Sequence, residues 1–99
     1  MAPFLSCAIY PAGPAQPSEF EIYMDGATTP VISPAFTVSG GVRMHYDLST
    51  MTVGNHTVTA KAAKTTPEWG RLVSSSSPPF AFTRPSAPSA PTDIVLITS

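Results

Sequence analysis

The chain has 99 residues, enough for one domain with a small hydrophobic core. Hydrophobic residues make up 42% of it, charged residues only 11%, and 12 residues are proline, which argues against a helical bundle because prolines break helices and helices expose charged faces. The net charge of -1 excludes the basic surface that strong binding to nucleic acid or anionic lipid requires, so we expect neither nucleic acid nor a membrane as a partner.

The start of the sequence and its cysteine content bear on where the protein is made. The stretch MAPFLSCAIYPAG has neither a basic segment nor a full apolar segment, so we expect no secretory signal peptide, although FLSC faintly resembles a lipoprotein box. Cys7 is the single cysteine and cannot form an internal disulfide. No apolar run approaches the roughly 20 residues that span a bilayer. We expect synthesis in the cytoplasm without secretion by a signal peptide, and retention in that reducing compartment or release by lysis.

Alternation of apolar and polar residues predicts two β-strands in the first quarter of the chain. They are FLSCAIY, residues 4–10, and EFEIYMDG, residues 19–26, the second ending in the turn pair Asp25-Gly26. The residues expected to face the core are Leu5, Cys7 and Ile9 in the first strand and Phe20, Ile22 and Met24 in the second. Glu19, Glu21 and Tyr23 are expected to point outward.

The remaining segments also have strand character. Residues 28–41 contain one or two short extended pieces, and the prolines within them suit edge strands. VRMHYDLS, residues 42–49, and GNHTVTAKA, residues 54–62, alternate clearly, and residues 71–85 supply a last strand with Phe80 and Phe82. No amphipathic helix longer than a turn is present in the pattern. We predict an all-β antiparallel sandwich of six or seven strands.

The sequence resembles a fibronectin type III domain, one of the immunoglobulin-like β-sandwiches. YDLSTMTVGNHTVTAKA, residues 46–62, runs close to the Tyr-x-Leu to Tyr-x-Val-x-Ala pattern of that family. The matching positions are Tyr46, Leu48, Met51, Gly54, His56, Val58 and Ala60. His56 stands near the family's corner tyrosine, which puts the geometry of that corner in doubt. The resemblance covers roughly residues 4–85 and implies that residues 4–10 and 19–26 are the family's second and third strands.

A second resemblance concerns the source of the protein. GNHTVTAKA, the EWG triplet with the serine run, and the closing Pro/Ala/Ser stretch are similar to segments of small immunoglobulin-like proteins encoded among bacteriophage virion genes. This resemblance implies location in a virion and contacts with other virion proteins. It does not distinguish the head of a particle from its tail.

The residue types that support catalysis or metal binding are few and scattered. His45 and His56 do not share a strand face and Cys7 is distant in sequence, so no metal ligand set is expected. Glu19 and Glu21 share a face that we interpret as solvated, whereas a general acid needs burial to raise its pKa. The serine run lacks a nucleophile-elbow motif, and no phosphate-binding glycine loop occurs. We therefore predict no catalytic residue, no metal, no cofactor and no enzymatic activity.

Two aromatic residues are candidates for partner binding. Trp69 lies in the loop TTPEWGRL, where it either covers the edge of the core or anchors a partner protein or a sugar. Tyr23 has similar status. Together they define the alternative hypothesis of a carbohydrate-binding or host-surface-binding module that uses loop aromatics.

The C-terminal segment PSAPSAPTDIVLITS suggests a further function. Residues 1–84 are predicted to form the sandwich, and residues 85–99 a Pro/Ser/Ala linker with a strand-forming arm. The arm looks like the family's first strand displaced to the opposite end of the chain. The residues expected to bind a partner there are Ile94, Val95, Leu96 and Ile97. The arm is expected to pair with a neighbouring subunit, while disorder or pairing along its own last strand stays open.

These observations lead to a hypothesis of function. We predict a non-enzymatic virion structural protein, either a head decoration protein or a tail component, that acts by assembly with other copies of itself and with other virion proteins. Surface glycans are the partners under the alternative hypothesis.

Overall fold

The computed structural model describes residues 3–98, and within them the protein is all-β with antiparallel sheets. Residues 1, 2 and 99, which the predicted domain and arm include, lie outside the described residues. The strands of the described part are β1 (Phe4–Ser6), β2 (Glu19–Met24), β3 (Val31–Pro34), β4 (Phe36–Val38), β5 (Gly41–Arg43), β6 (His45–Asp47), β7 (Gly54–Thr66), β8 (Gly70–Val73) and β9 (Phe80–Arg84).

The largest sheet is built around β7, which has 13 residues and pairs with three other strands. Its strand order is β3-β2-β7-β8, and β9 pairs with β7 farther along the same strand. β1 pairs with β6, and β4 pairs with β5 in a hairpin. Every one of these pairs is antiparallel. The predicted all-β class is therefore confirmed at this level.

The core forms where side chains of β1 and the β6 region meet side chains of β2 and β7. Its buried members are Leu5, Phe20, Ile22, Met44, Leu48 and Val58. Most of these residues occupy alternate positions of their strands, as the two-residue period predicts, because successive side chains of a strand point to opposite faces. Ile22, at 1% exposure, lies deepest among them.

The prediction that Ile9 faces the core is wrong because of a bulge next to β1. Between the pairs Ser6↔His45 and Tyr10↔Val42 the chain advances four residues on one side and three on the other. The amide of Met44 donates to the Cys7 sulfur at 3.2 Å, so the backbone ladder is interrupted there. One extra residue reverses the alternation of faces. Ile9 is consequently exposed, and Tyr10 packs against the core.

The predicted last strand is divided into β8 and β9. β7 pairs with β8 at Ala63↔Val73 and with β9 at Val58↔Phe80, so five steps on β7 correspond to seven on the other side. Residues 74–79, SSSSPP, contain the two extra residues, and we call them the serine segment. Its two prolines have no N–H group for a ladder, so regular pairing with β7 resumes only after them, at Phe80.

Serine side chains maintain the edge of β7 across this division. The Ser74 Oγ accepts a hydrogen bond from the Ala62 amide at 2.9 Å, and the Ser74 amide donates to the Ala62 carbonyl at 2.8 Å. Ser77 does the same for Ala60, at 3.0 and 2.8 Å. The serine segment therefore satisfies the backbone of β7 in place of a regular strand.

Residues 85–98 contain no strand, and every one of them is exposed. We call this segment the arm. The longest strand spans about 43 Å at about 3.3 Å per residue, whereas the longest dimension of the chain is 76 Å. The arm therefore projects beyond the strands, and in the described residues it does not pair along β9.

Candidate protein-binding site

A groove of about 530 Å³ opens between β1 and the serine segment. Residues of β1 and Cys7 line one side, and residues from Ser74 to Pro78 line the other. Core residues, among them Phe20, lie between the two sides, and most of the lining is apolar. The volume falls within the roughly 300–1,000 Å³ typical of ligand sites.

Two large apolar side chains at the groove are exposed. Phe4 is 42% exposed and Phe80 is 57% exposed, and both line the groove. Phe80 precedes the half-buried Phe82 by two residues, and their ring centroids are 6.4 Å apart. Apolar surface of this kind in a groove is typical of a protein-interaction site.

The edge of β1 that faces away from β6 has no paired strand among residues 3–98. The amide of Leu48 donates to the carbonyl of Pro3 at 2.9 Å, so these two residues form a hydrogen-bonded pair of the β1–β6 ladder. Hydrogen-bonded and non-hydrogen-bonded pairs alternate along an antiparallel ladder, so the pairs at Phe4 and Ser6 are not hydrogen-bonded. It follows that the backbone N–H and C=O groups of Phe4 and Ser6 point away from β6. Such an edge is a template for one more strand.

The arm residues predicted to bind a partner are all accessible. Their exposed fractions are 82% for Ile94, 72% for Val95, 91% for Leu96 and 72% for Ile97. Four consecutive apolar residues exposed to this degree are costly to leave in water, at about 25 cal/mol per Å² of apolar surface. The arm thus presents an exposed apolar segment.

Trp69 and Tyr23 lie far apart in the structure. Trp69, in the turn between β7 and β8, is 77% exposed, and its amide donates to the Thr66 side chain at 3.0 Å. Tyr23 lies within β2 rather than in a loop, and it pairs with Thr59 of β7. Thr59 and Thr66 are seven residues apart, which corresponds to about 23 Å along a strand. The structure therefore does not bring the two aromatic side chains into one site.

Tyr23 and its neighbouring carboxylates are occupied by contacts within the sheet. The Tyr23 hydroxyl donates to Glu21 Oε1 at 2.6 Å, and Lys61 Nζ lies 5.2 Å from the Tyr23 ring centroid. The Arg71 guanidinium donates to Glu21 and, at 2.6 Å, to Glu19 Oε2. The hydrogen bonds from Tyr23 and Arg71 lower the pKa of Glu21.

This arrangement corrects the expectation of a solvated acidic face. Glu21 is only 8% exposed, because Arg71 and Tyr23 cover it. Its lowered pKa keeps the carboxylate charged, which is the opposite of what a general acid requires. The two glutamates act as acceptors for the Arg71 guanidinium and link β2 to β8 across β7.

His56 is a buried, hydrogen-bonded residue at the end of the sheet. Its Nδ1 lies 2.7 Å from Asp25 Oδ2, and its Nε2 lies 2.7 Å from the Thr52 carbonyl oxygen. Because both neighbours are acceptors, the doubly protonated imidazolium fits best. The hydrogen bond to Asp25 is the main cause that raises the pKa of His56. His45, in contrast, is stacked between Phe4 and Phe36, with ring centroids 3.9 and 4.2 Å away.

Chemical groups that could hold a metal are dispersed. Among residues 3–98, no three side chains of His, Cys, Asp or Glu cluster as a metal site would require. That part of the chain also contains no helix with the length and apolar character needed to cross a membrane.

Comparison of the chain with protein-family models, with curated proteins and with solved structures found no match. The groove and the arm are therefore the main basis for inferring function. The groove was not predicted from the sequence. The one signal for it was the SSSSPP run, where two adjacent prolines interrupt a strand pattern.

Proposed function

We propose that this chain is a non-enzymatic structural protein of a virion that acts by protein–protein assembly through its arm. The single observation that carries the proposal is the exposure of residues 94–97, which are 72–91% accessible. Exposed apolar strands recruit partners by adding to the edge of a sheet. Assembly with a partner buries this segment, whereas neither catalysis nor small-molecule binding explains its exposure.

The proposed fold is an immunoglobulin-like sandwich of the fibronectin type III kind. Two features support it. The order β3-β2-β7 followed by β8 and β9 fits the sheet that contains the family's third strand, and β1 with β6 fits the opposite sheet. The core cluster joins side chains of both groups of strands. Under this proposal β1 is the family's second strand, and the position beside it is open.

The virion location rests on the sequence resemblance to small phage-encoded immunoglobulin-like proteins. Its test is mass spectrometry and immunogold labelling of purified particles encoded by the genome that carries this sequence. The expected result is the chain in stoichiometric amounts on the particle. Particles that are complete and free of the chain would contradict the virion location while leaving arm-mediated assembly untouched.

A second candidate function is supported by one observation. Trp69 is 77% exposed in a tight turn, and a solvent-facing indole is a suitable platform for a sugar ring or a host-surface protein. Tyr23 does not contribute to that site, because it lies within β2 and its hydroxyl is bonded to Glu21. Binding of glycans that Trp69→Ala abolishes would favour this function over assembly.

A further inference from the structure

We propose that the groove between β1 and the serine segment binds the arm of a second copy of this chain, which pairs with β1 as an additional strand. The inference rests on the proposed function and deepens it, because it names the receiving surface, the partner and the pairing. One chain then supplies an open edge and another supplies the strand that closes it.

The bottom of the groove is the core itself. Leu5, Phe20, Met44 and Val58 belong to the buried core cluster, and all four line the groove. An aliphatic side chain that enters the groove therefore contacts the core directly instead of resting on a polar surface. It would also cover Phe80, whose ring is more than half exposed. Occupation of the groove completes the apolar core of the receiving chain.

β1 is the side of the groove that can hydrogen-bond an incoming strand. The N–H and C=O groups of Phe4 and Ser6 point away from β6 and toward this position. On the other side, the amides of Ser74 and Ser77 are already bonded to β7. The two prolines that follow have no amide proton. β1 therefore offers the continuous edge with which the incoming strand pairs, and the strand lies against the serine segment through side-chain contacts.

The two faces of the arm differ in polarity, which predicts the face that enters the groove. In an extended strand Ile94 and Leu96 point to one side, and Asp93, Val95 and Ile97 point to the other. Turning the second face inward would bring the Asp93 carboxylate toward an apolar groove at a desolvation cost. We therefore assign Ile94 and Leu96 to the groove. They are also the two most exposed of the four apolar residues.

The direction of the chain favours a second copy over the chain's own arm. Arg84, the last residue of β9, pairs with Gly54, and its guanidinium donates to the Ser49 carbonyl at 3.0 Å. Leu48 is bonded to Pro3, so β9 ends where β1 begins. An arm that starts there and pairs antiparallel with its own β1 must first pass the full length of β1 and then reverse its direction. Three prolines at positions 85, 88 and 91 stiffen the connection against such a reversal.

Each chain has one arm and one groove. Two copies that exchange arms reciprocally form a closed symmetric pair, whereas one-way exchange builds open chains or larger rings. A closed pair or ring leaves no arm and no groove free, and an open chain leaves one of each.

Cys7 allows a direct test in the full-length chain, because the single cysteine lines the groove. Four variants each introduce one cysteine in the arm: Ile94→Cys, Val95→Cys, Leu96→Cys and Ile97→Cys. Each is oxidised with diamide and analysed on non-reducing gels and by mass spectrometry. Neighbouring strands bring inward side chains within disulfide reach. We expect interchain disulfides between Cys7 and a cysteine at position 94 or 96. Because side chains alternate between the two faces of a strand, their yield should be at least about tenfold higher than the yield from position 95 or 97.

The controls repeat each variant in a Cys7→Ser background, where only disulfides between two arms can form. Equal cross-linking from all four positions, or cross-linking that persists without Cys7, would overturn the groove assignment. A disulfide within one chain would overturn the second copy as donor. If sedimentation shows the wild-type chain to be oligomeric while Cys7 stays unlinked, the groove is wrong but assembly stands. A wild-type chain that is monomeric and unlinked contradicts self-association as a whole.

Discussion

The imidazole of His56 and the carboxylate of Asp25, 31 residues apart in the sequence, lie 2.7 Å apart at the end of the β2–β7 pair. Asp25 also accepts a hydrogen bond from the Thr57 amide at 2.9 Å. Its positive φ of 54° places it in the turn that follows β2. One carboxylate thus joins the turn to the adjacent strand through two contacts.

This pair predicts that stability depends on pH. The pKa of His56 is raised above 6.5, chiefly by the hydrogen bond to Asp25, so its contribution is complete below pH 6.5 and is lost as the pH rises through the raised value. The pKa of Asp25 is lowered below 3.8, first by the hydrogen bond to His56, so its contribution is present above pH 3.8 and is lost as the pH falls through the lowered value. Stability from the pair is therefore greatest between these two limits.

Asp25→Asn tests this dependence, because asparagine tolerates a positive φ and keeps the turn. The Tm of the wild-type chain should be lower at about pH 8.5 than at about pH 5.5, and this difference should be smaller for the variant. Thermal unfolding at the two pH values measures it. Identical decreases in the two proteins would show that the pair does not control the pH dependence.

Two adjacent residues of the serine segment, Ser76 and Ser77, should differ in their contribution to the free energy of unfolding. Ser77→Ala removes the oxygen that accepts from the Ala60 amide, and we expect a loss of about 1 kcal/mol in the free energy of unfolding. Ser76→Ala is the matched control and should change it by less than about 0.5 kcal/mol. Urea unfolding measures both. Equal effects would mean that the Ser77 hydroxyl does not support β7.

Gly41 predicts a backbone clash. A Cβ atom there would lie 1.9 Å from the Tyr10 carbonyl oxygen, at a φ of +150°. Gly41→Ala should therefore break the bridge between Tyr10 and Val42 and cost about 3 kcal/mol of stability. Gly40→Ala has the same chemistry in open space, at a φ of +92°, and should cost about 1 kcal/mol from backbone strain. A Gly41→Ala loss no larger than the control would contradict the close approach seen in the structure.

Trp69 distinguishes the two candidate functions. Since the side chain is 77% exposed, Trp69→Ala should change the free energy of unfolding by less than about 0.5 kcal/mol. Under the assembly proposal it should also leave oligomerisation unchanged in sedimentation experiments. Loss of oligomers in this variant would place Trp69 in the interface and would not fit a contact made through the groove.

The sequence was sufficient to predict features that depend on local alternation. In β2 the inward residues Phe20 and Ile22 are buried as expected, although Glu21 between them is covered as well. One inserted residue is enough to make a prediction from alternation wrong. The bulge near Cys7 reverses the faces, so Ile9 is exposed although the pattern places it inward.

Contacts between distant segments could not be predicted from local pattern. The contact of Arg71 with Glu19 and Glu21 depends on the register of β2 and β8 on opposite sides of β7. The groove likewise exists only because β1 and the serine segment are brought together in space. The arm differs in composition from the residues around it, as an apolar run after a proline-rich linker, and this difference is visible in the sequence alone.

Sedimentation of the full-length chain tests most directly the central claim that copies assemble by placing Ile94 and Leu96 in a neighbour's groove. The wild type is compared with two double variants that carry the same chemical change, Ile94→Asp with Leu96→Asp, and Val95→Asp with Ile97→Asp. Burying two aliphatic side chains predicts that the first pair weakens association at least about 100-fold and the second less than about tenfold. Equal weakening by the two pairs, or oligomers that survive the first pair, would contradict the claim.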